Sequence, residues 1–78
     1  MTNTGSPLVL TRNIGGYRDL LDEREVHAGD GIDLYDSGLW VPGRYEYRGR
    51  TGEAWFVHGD DRVLDIDRER MRFRWPPG

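Results

Sequence analysis

Two histidines stand beside carboxylates: His27 precedes Asp30 and Asp33, and His58 precedes Asp60 and Asp61. His with Asp is raw material for a divalent-metal site or a proton-transfer pair. The spacing does not complete either. A strand points Asp33 and Asp36 to opposite faces, so Asp30, Asp33 and Asp36 do not converge. A calcium loop needs acids at alternate positions and a closing Glu, and neither is present. Asp60 and Asp61 follow Gly59 and read as a turn. The chain has no cysteine, which excludes thiolate zinc sites and disulfides alike. Ser6 and Ser37 have no neighbouring His to activate them. Gly29-Asp-Gly31 lacks the Lys and Ser/Thr of a phosphate loop. These residues predict no catalytic group, no metal and no cofactor, and hence no enzyme.

The other chemistry in the chain is arginine with aromatic rings. All 11 basic residues are arginine, and the rings comprise 3 Trp, 4 Tyr and 2 Phe. Arg forks pair bidentately with carboxylates and phosphates. A GC-rich genome favouring Arg codons produces the same bias and is the simpler reading. Trp40-Val-Pro-Gly-Arg-Tyr-Glu-Tyr47 shows how strands divide this chemistry between two faces. Val41, Gly43, Tyr45 and Tyr47 lie on one face; Trp40, Pro42, Arg44 and Glu46 lie on the other. Met71-Arg-Phe-Arg-Trp75 alternates in the same way and leaves Arg72 and Arg74 outside. The candidate partner-binding residues are therefore Tyr35, Trp40, Arg44, Trp55, Arg72 and Arg74. Each has a structural alternative. Trp40 is also suited to cover the rim of the fold beneath the N-terminal segment. Arg44 with Glu46, and Arg72 with Arg74, are also suited to cross-strand pairing with Asp33, Asp65 or Glu53.

Seventy-eight residues make a single domain that buries only about 60% of its unfolded surface. Residues 1–7 are small and polar and are expected to be a flexible tail. They carry no basic start and are followed only by Leu8-Val9-Leu10, which fits a short strand and no signal peptide. No apolar run approaches a membrane span, so a soluble cytoplasmic protein is expected. Ile14, Tyr17, Leu20 and Leu21 share one face of a helix placed at about 16–25, with Asp19, Asp22, Glu23 and Arg24 turned outward. His27-Ala-Gly-Asp-Gly31 ends it. Strands follow at 32–35, 39–47, 53–58, 62–66 and 71–75. Asp67–Arg70 fits one 3₁₀ turn. The expected core is Ile32, Leu34, Val41, Tyr45, Tyr47, Leu64, Ile66, Met71, Phe73 and Trp75. Strand 53–58 admits either Ala54 with Phe56 or Trp55 with Val57 inward, and Phe56 is the choice taken. A one-residue slip would reverse it.

Five short strands with turns every eight to twelve residues predict a small barrel or sandwich. The order of hairpin, longer loop, hairpin, single helical turn and last strand resembles the SH3-like barrel over residues 29–75. The fold class this implies is mainly β: a five-stranded SH3-like barrel closed at one end by a short N-terminal helical segment, with residues 8–78 as one domain. Gly29-Asp30, Trp40-x-x-Gly-Arg-x-Glu46 and the late Met71-Arg-Phe-Arg also resemble a group of short bacterial domains of unknown function. That resemblance implies a fold and no activity.

Net charge is −3, divided as −4 over residues 1–43 and +1 over residues 44–78. The sequence predicts a small interaction module that binds a protein, a peptide or itself through exposed aromatics and arginines. An acidic face of Asp19, Asp22, Glu23, Asp30 and Asp33 would meet the arginine comb head to tail in self-association. The alternative is nucleic-acid binding through an Arg44, Arg48, Arg50, Arg72 and Arg74 stripe, with stacking by Tyr35, Trp40 or Trp55. The negative net charge opposes it.

Overall fold

Period-two alternation runs through nearly the whole chain. The computed structural model describes residues 4–78, which form eight strands and no helix. The strands are β1 (Val9–Asn13), β2 (Gly16–Leu21), β3 (Arg24–Val26), β4 (Gly31–Asp36), β5 (Leu39–Arg48), β6 (Glu53–His58), β7 (Arg62–Asp65) and β8 (Phe73–Arg74). They build two antiparallel sheets. One has the order β1-β2-β3; the other has the order β7-β6-β5-β4-β8.

The inner face of the five-stranded sheet follows the expected alternation on β4, β5 and β8, whereas on the edge strand β7 Leu64, expected in the core, is exposed. Register sets Leu34 opposite Val41 and Phe73, Tyr45 opposite Phe56, and Tyr47 opposite Ala54. Tyr45, Phe56 and Phe73 are fully buried, and Phe56 is the inward ring of β6. Leu21 and Val26 of the smaller sheet pack against this face, joined by Leu8. Ile66, Met71 and Trp75 lie at the margin of that core.

Two expectations are corrected. The helix at 16–25 is a hairpin: β2 and β3 are joined by a two-residue turn with φ of 52° at Asp22 and 66° at Glu23. Left-handed backbone at two acidic residues replaces the usual Asn-Gly signal of such a turn. The helical spacing was also misleading because Ile14, its first apolar member, is fully exposed. Second, the strands do not close into a five-stranded SH3-like barrel. They stay as two sheets, the smaller lying over the inner face of the larger. Ser6, within the expected tail, bridges to β8. Ser6 and Phe73 exchange backbone hydrogen bonds of 2.8 Å in both directions, while residues 1–3 fall outside the described residues. The final strand is also shorter than expected, reduced to Phe73–Arg74, after a turn in which Asp67 O accepts from Arg70 and Met71 N–H. Among the described residues no helix is long and apolar enough to cross a membrane.

Gly43 marks the tightest point of the core. A Cβ there would lie 2.4 Å from Phe56 Cζ and 2.6 Å from Val57 O. The ring of Phe56 thus occupies the space a side chain would take. Gly43→Ala is expected to destabilise the fold by about 2 kcal/mol through overpacking. Chemical denaturation of the two proteins measures this, and an unchanged midpoint would refute the packing.

Candidate functional site

Cross-strand partners share a face, so the outer face of the five-stranded sheet follows from register. Asp36-Ser-Gly-Leu39 turns β4 into β5 and places Tyr35 opposite Trp40. Their rings meet edge to face with centroids 5.1 Å apart. Asp33 lies opposite Arg74 of β8, and Arg74 Nε donates to Asp33 Oδ2 at 2.9 Å. The same guanidinium lies 4.2 Å from the centre of the Trp40 ring. A Cβ on Gly5 would come within 2.9 Å of indole Cη2, so the N-terminal segment runs close against the edge of the ring. Tyr35, Trp40 and Arg74 therefore form one unit, with both the guanidinium and the indole fixed.

The remaining candidate residues lie elsewhere. Arg72 adjoins the unit through its backbone, whose carbonyl accepts from Tyr35 N–H at 2.9 Å. Its guanidinium turns back to the carbonyls of Glu69 and Met71. Arg44 pairs along its own strand with Glu46 at 3.1 Å. Trp55 stands in a cross-strand row between Glu46 and Asp65. That row is six residues along β5 from Trp40, roughly 20 Å. Two members of the proposed Arg stripe, Arg44 and Arg74, are thus neutralised by carboxylates.

His27 lies 2.8 Å from Glu25 and 3.5 Å from Asp30, all near the surface. Arg18 donates to the same Glu25 carboxylate and holds it below the usual carboxylate range, with burial opposing and His27 adding to the effect. Among the described residues no group of three His, Cys, Asp or Glu side chains converges on a metal-sized site.

The arrangement that sequence reasoning missed is buried. Asp19, expected on the outside of a helix, is 1% exposed. Arg68 grips it with two hydrogen bonds, Nε to Oδ1 at 2.7 Å and Nη2 to Oδ2 at 2.8 Å. The Tyr45 hydroxyl donates to Oδ2, and Arg68 Nη2 also donates to Gly52 O at 2.6 Å. Burial first, and the bond to Asp19 second, push the Tyr45 phenol far above its ordinary range. The bond to Asp19 raises the Arg68 guanidinium. The phenol is therefore a fixed, neutral donor and not a proton shuttle. No buried side-chain nitrogen or oxygen lacks a partner among the described residues. The signal was available in Tyr17-x-Asp19-x-Leu21, a period-two set with a carboxylate at the inward position.

Beside this cluster lies a cleft of about 550 Å³ between the two sheets, lined by Leu10, Ala54 and Ile66 and by Arg68. A smaller hollow of about 300 Å³ lies at Pro42, Arg44, Val57 and His58.

No protein-family model, curated protein or solved structure matches the chain.

Two outcomes follow from the buried cluster. Asp19→Asn removes the charge and leaves the Arg68 cation without its counter-ion. It should cost about 3 kcal/mol, the low end for breaking a buried pair, because Arg68 still reaches water. Thermal melts that coincide with wild type would refute the role of the cluster. In the unfolded chain the Tyr45 phenol titrates near 10, and in the folded chain higher, so folding favours the protonated form. Stability should be intact below about pH 10 and fall as pH rises above it. Tyr45→Phe should flatten this alkaline decline relative to wild type in denaturation series, and an identical decline in both would count against the assignment.

Proposed function

We propose that the protein is a non-catalytic binding module that takes a protein or peptide partner on the outer face of its five-stranded sheet. The observation that carries this reading is the Tyr35–Trp40–Arg74 unit. Its rings are half-buried and held in place before any partner arrives. Rigid aromatic side chains contribute large contact area at low entropic cost, and Trp, Tyr and Arg dominate binding hot spots. Asp33 matches the charge of Arg74, so the unit presents an aromatic surface without excess positive charge. That favours a partner of mixed polar and apolar character over a polyanion. The head-to-tail acidic face is not a basis for self-association, since Asp19 and Asp33 are both buried and paired with arginine.

Selection of a displayed peptide library against the purified protein tests this. Peptides should be enriched that bind wild type at least about tenfold more tightly than a folded Trp40→Ala variant, the loss of one hot-spot ring. Trp55→Ala, roughly 20 Å along the sheet, should bind them as wild type does. Enriched peptides indifferent to Trp40, or no enrichment at all, would refute the reading.

A further inference from the structure

Five arginines have carboxylate partners: Arg18 with Glu25, Arg44 with Glu46, Arg68 with Asp19, Arg70 with Asp67 and Arg74 with Asp33. Arg24 lies over the Trp75 ring at 4.1 Å, and Arg72 donates to backbone carbonyls. Arg12, Arg48, Arg50 and Arg62 make no ion pair among the described residues. Three of these four belong to one corner of the molecule.

That corner is where the β1–β2 hairpin rests on the turn between β5 and β6. Tyr17 N–H donates to Gly49 O at 2.7 Å. The approach requires Gly16, with φ of 128°, because a Cβ there would lie 2.3 Å from Gly49 O. Arg48 and Arg50 flank Gly49 in the turn and are exposed. Arg12 is the cross-strand partner of Tyr17, with its guanidinium 5.9 Å from the ring. Tyr17 shares a β2 face with Asp19 and Leu21, the buried face, so Arg12 stands on the side of its sheet that is turned toward residues 48–52. From the Arg12 backbone to Gly49 is about two strand spacings, roughly 10 Å. The opposing charges are few. Glu53 is the cross-strand neighbour of Arg48 without pairing to it, and Arg18 with Glu25 lies on the opposite face of β2.

We propose that Arg12, Arg48 and Arg50, gathered around Tyr17 and Gly49, bind a short acidic segment of a protein partner. Arg12 on the inward face of its sheet, and Arg48 and Arg50 on the turn it approaches, have no carboxylate partner among the described residues and form local positive charge on a chain whose net charge is −3. Their forks match carboxylates bidentately. A nucleic-acid strand fits less well. The cations are confined to one corner and do not track along a groove, and the Tyr17 ring already lies under Arg12 and against Gly52. This surface is separate from the Trp40 unit, so each can fail alone.

Fluorescence anisotropy with labelled hexaglutamate tests the proposal at about 10 mM and about 150 mM salt. Binding should saturate at low salt and weaken at the higher. Replacing Arg12, Arg48 and Arg50 together by Gln should weaken it by about tenfold. Arg62→Gln, the loss of one charge elsewhere and so the match for Arg50→Gln alone, should bind as wild type does. If the triple variant melts early, Arg50→Gln alone, exposed in the turn, replaces it and should still weaken binding. The proposal is overturned if the arginine variants bind like wild type, or if Arg62→Gln is as damaging. It is also overturned if hexathymidylate binds more tightly than hexaglutamate at the same salt, which would assign the corner to nucleic acid.

Discussion

The Asp19 carboxylate is the point at which the two sheets are fixed to each other. It stands on β2 and accepts from Tyr45 on β5 and from Arg68 in the turn after β7. Arg68 extends the contact to Gly52, so four segments distant in sequence meet at one guanidinium–carboxylate pair. Apolar contact between two sheets is non-directional and tolerates sliding. Hydrogen bonds to a carboxylate do not, and a slip of one residue would leave a charge buried without a partner. The cluster costs desolvation and adds little net stability over an apolar equivalent. Its contribution is one relative placement of the sheets in a chain that has no disulfide to impose it.

Two further ties act in the same sense. Trp75 Nε1 donates to Leu21 O at 2.9 Å, joining the chain beyond β8 to the end of the middle strand of the smaller sheet. Tyr17 N–H reaches Gly49 O at the opposite end of β2. Asp19 lies between them on the same strand. β2 is therefore held at its start, middle and end by three different partners, all polar. The side chains that orient the molecule are distinct from those that fill it, namely Tyr45, Phe56, Phe73 and the aliphatics around them.

The larger sheet was legible because its inward apolar residues alternate with charge. Tyr45 and Tyr47 alternate with Arg44, Glu46 and Arg48, and Phe73 with Arg72 and Arg74. The smaller sheet was not, because its middle inward residue is Asp19. A carboxylate there breaks the apolar period and makes the residual spacing of Ile14, Tyr17, Leu20 and Leu21 look helical. Barrel closure is a long-range property that period two leaves undetermined, since a strand reads alike in a barrel and in a layered pair. Half of the aromatic unit was readable: a two-residue turn at Ser37 and Gly38 forces Tyr35 opposite Trp40. The other half, Arg74 on Asp33 across 41 residues, depended on where β8 returns.

Failure to close also explains where the exposed surface lies. A closed barrel has no edges, whereas two open sheets expose β1 and β7 as edge strands. Both carry exposed aliphatics, Val9 with Leu10 and Val63 with Leu64. Both are also short and bear charge, Arg12 on β1 and Arg62 with Asp65 on β7, which discourages indiscriminate strand pairing. Around Trp40 on the outer face, Arg74 is paired with Asp33 and the aromatic rings are left in place. At the corner of β1 with the β5–β6 turn the reverse holds, with charges unpaired and the ring occupied. A fold that neutralised its arginines only to avoid repulsion would have little reason to leave three together while pairing Arg44 and Arg74 so closely. The uneven pairing distinguishes the two surfaces physically: one presents rings beside a matched charge, the other presents charge beside a covered ring.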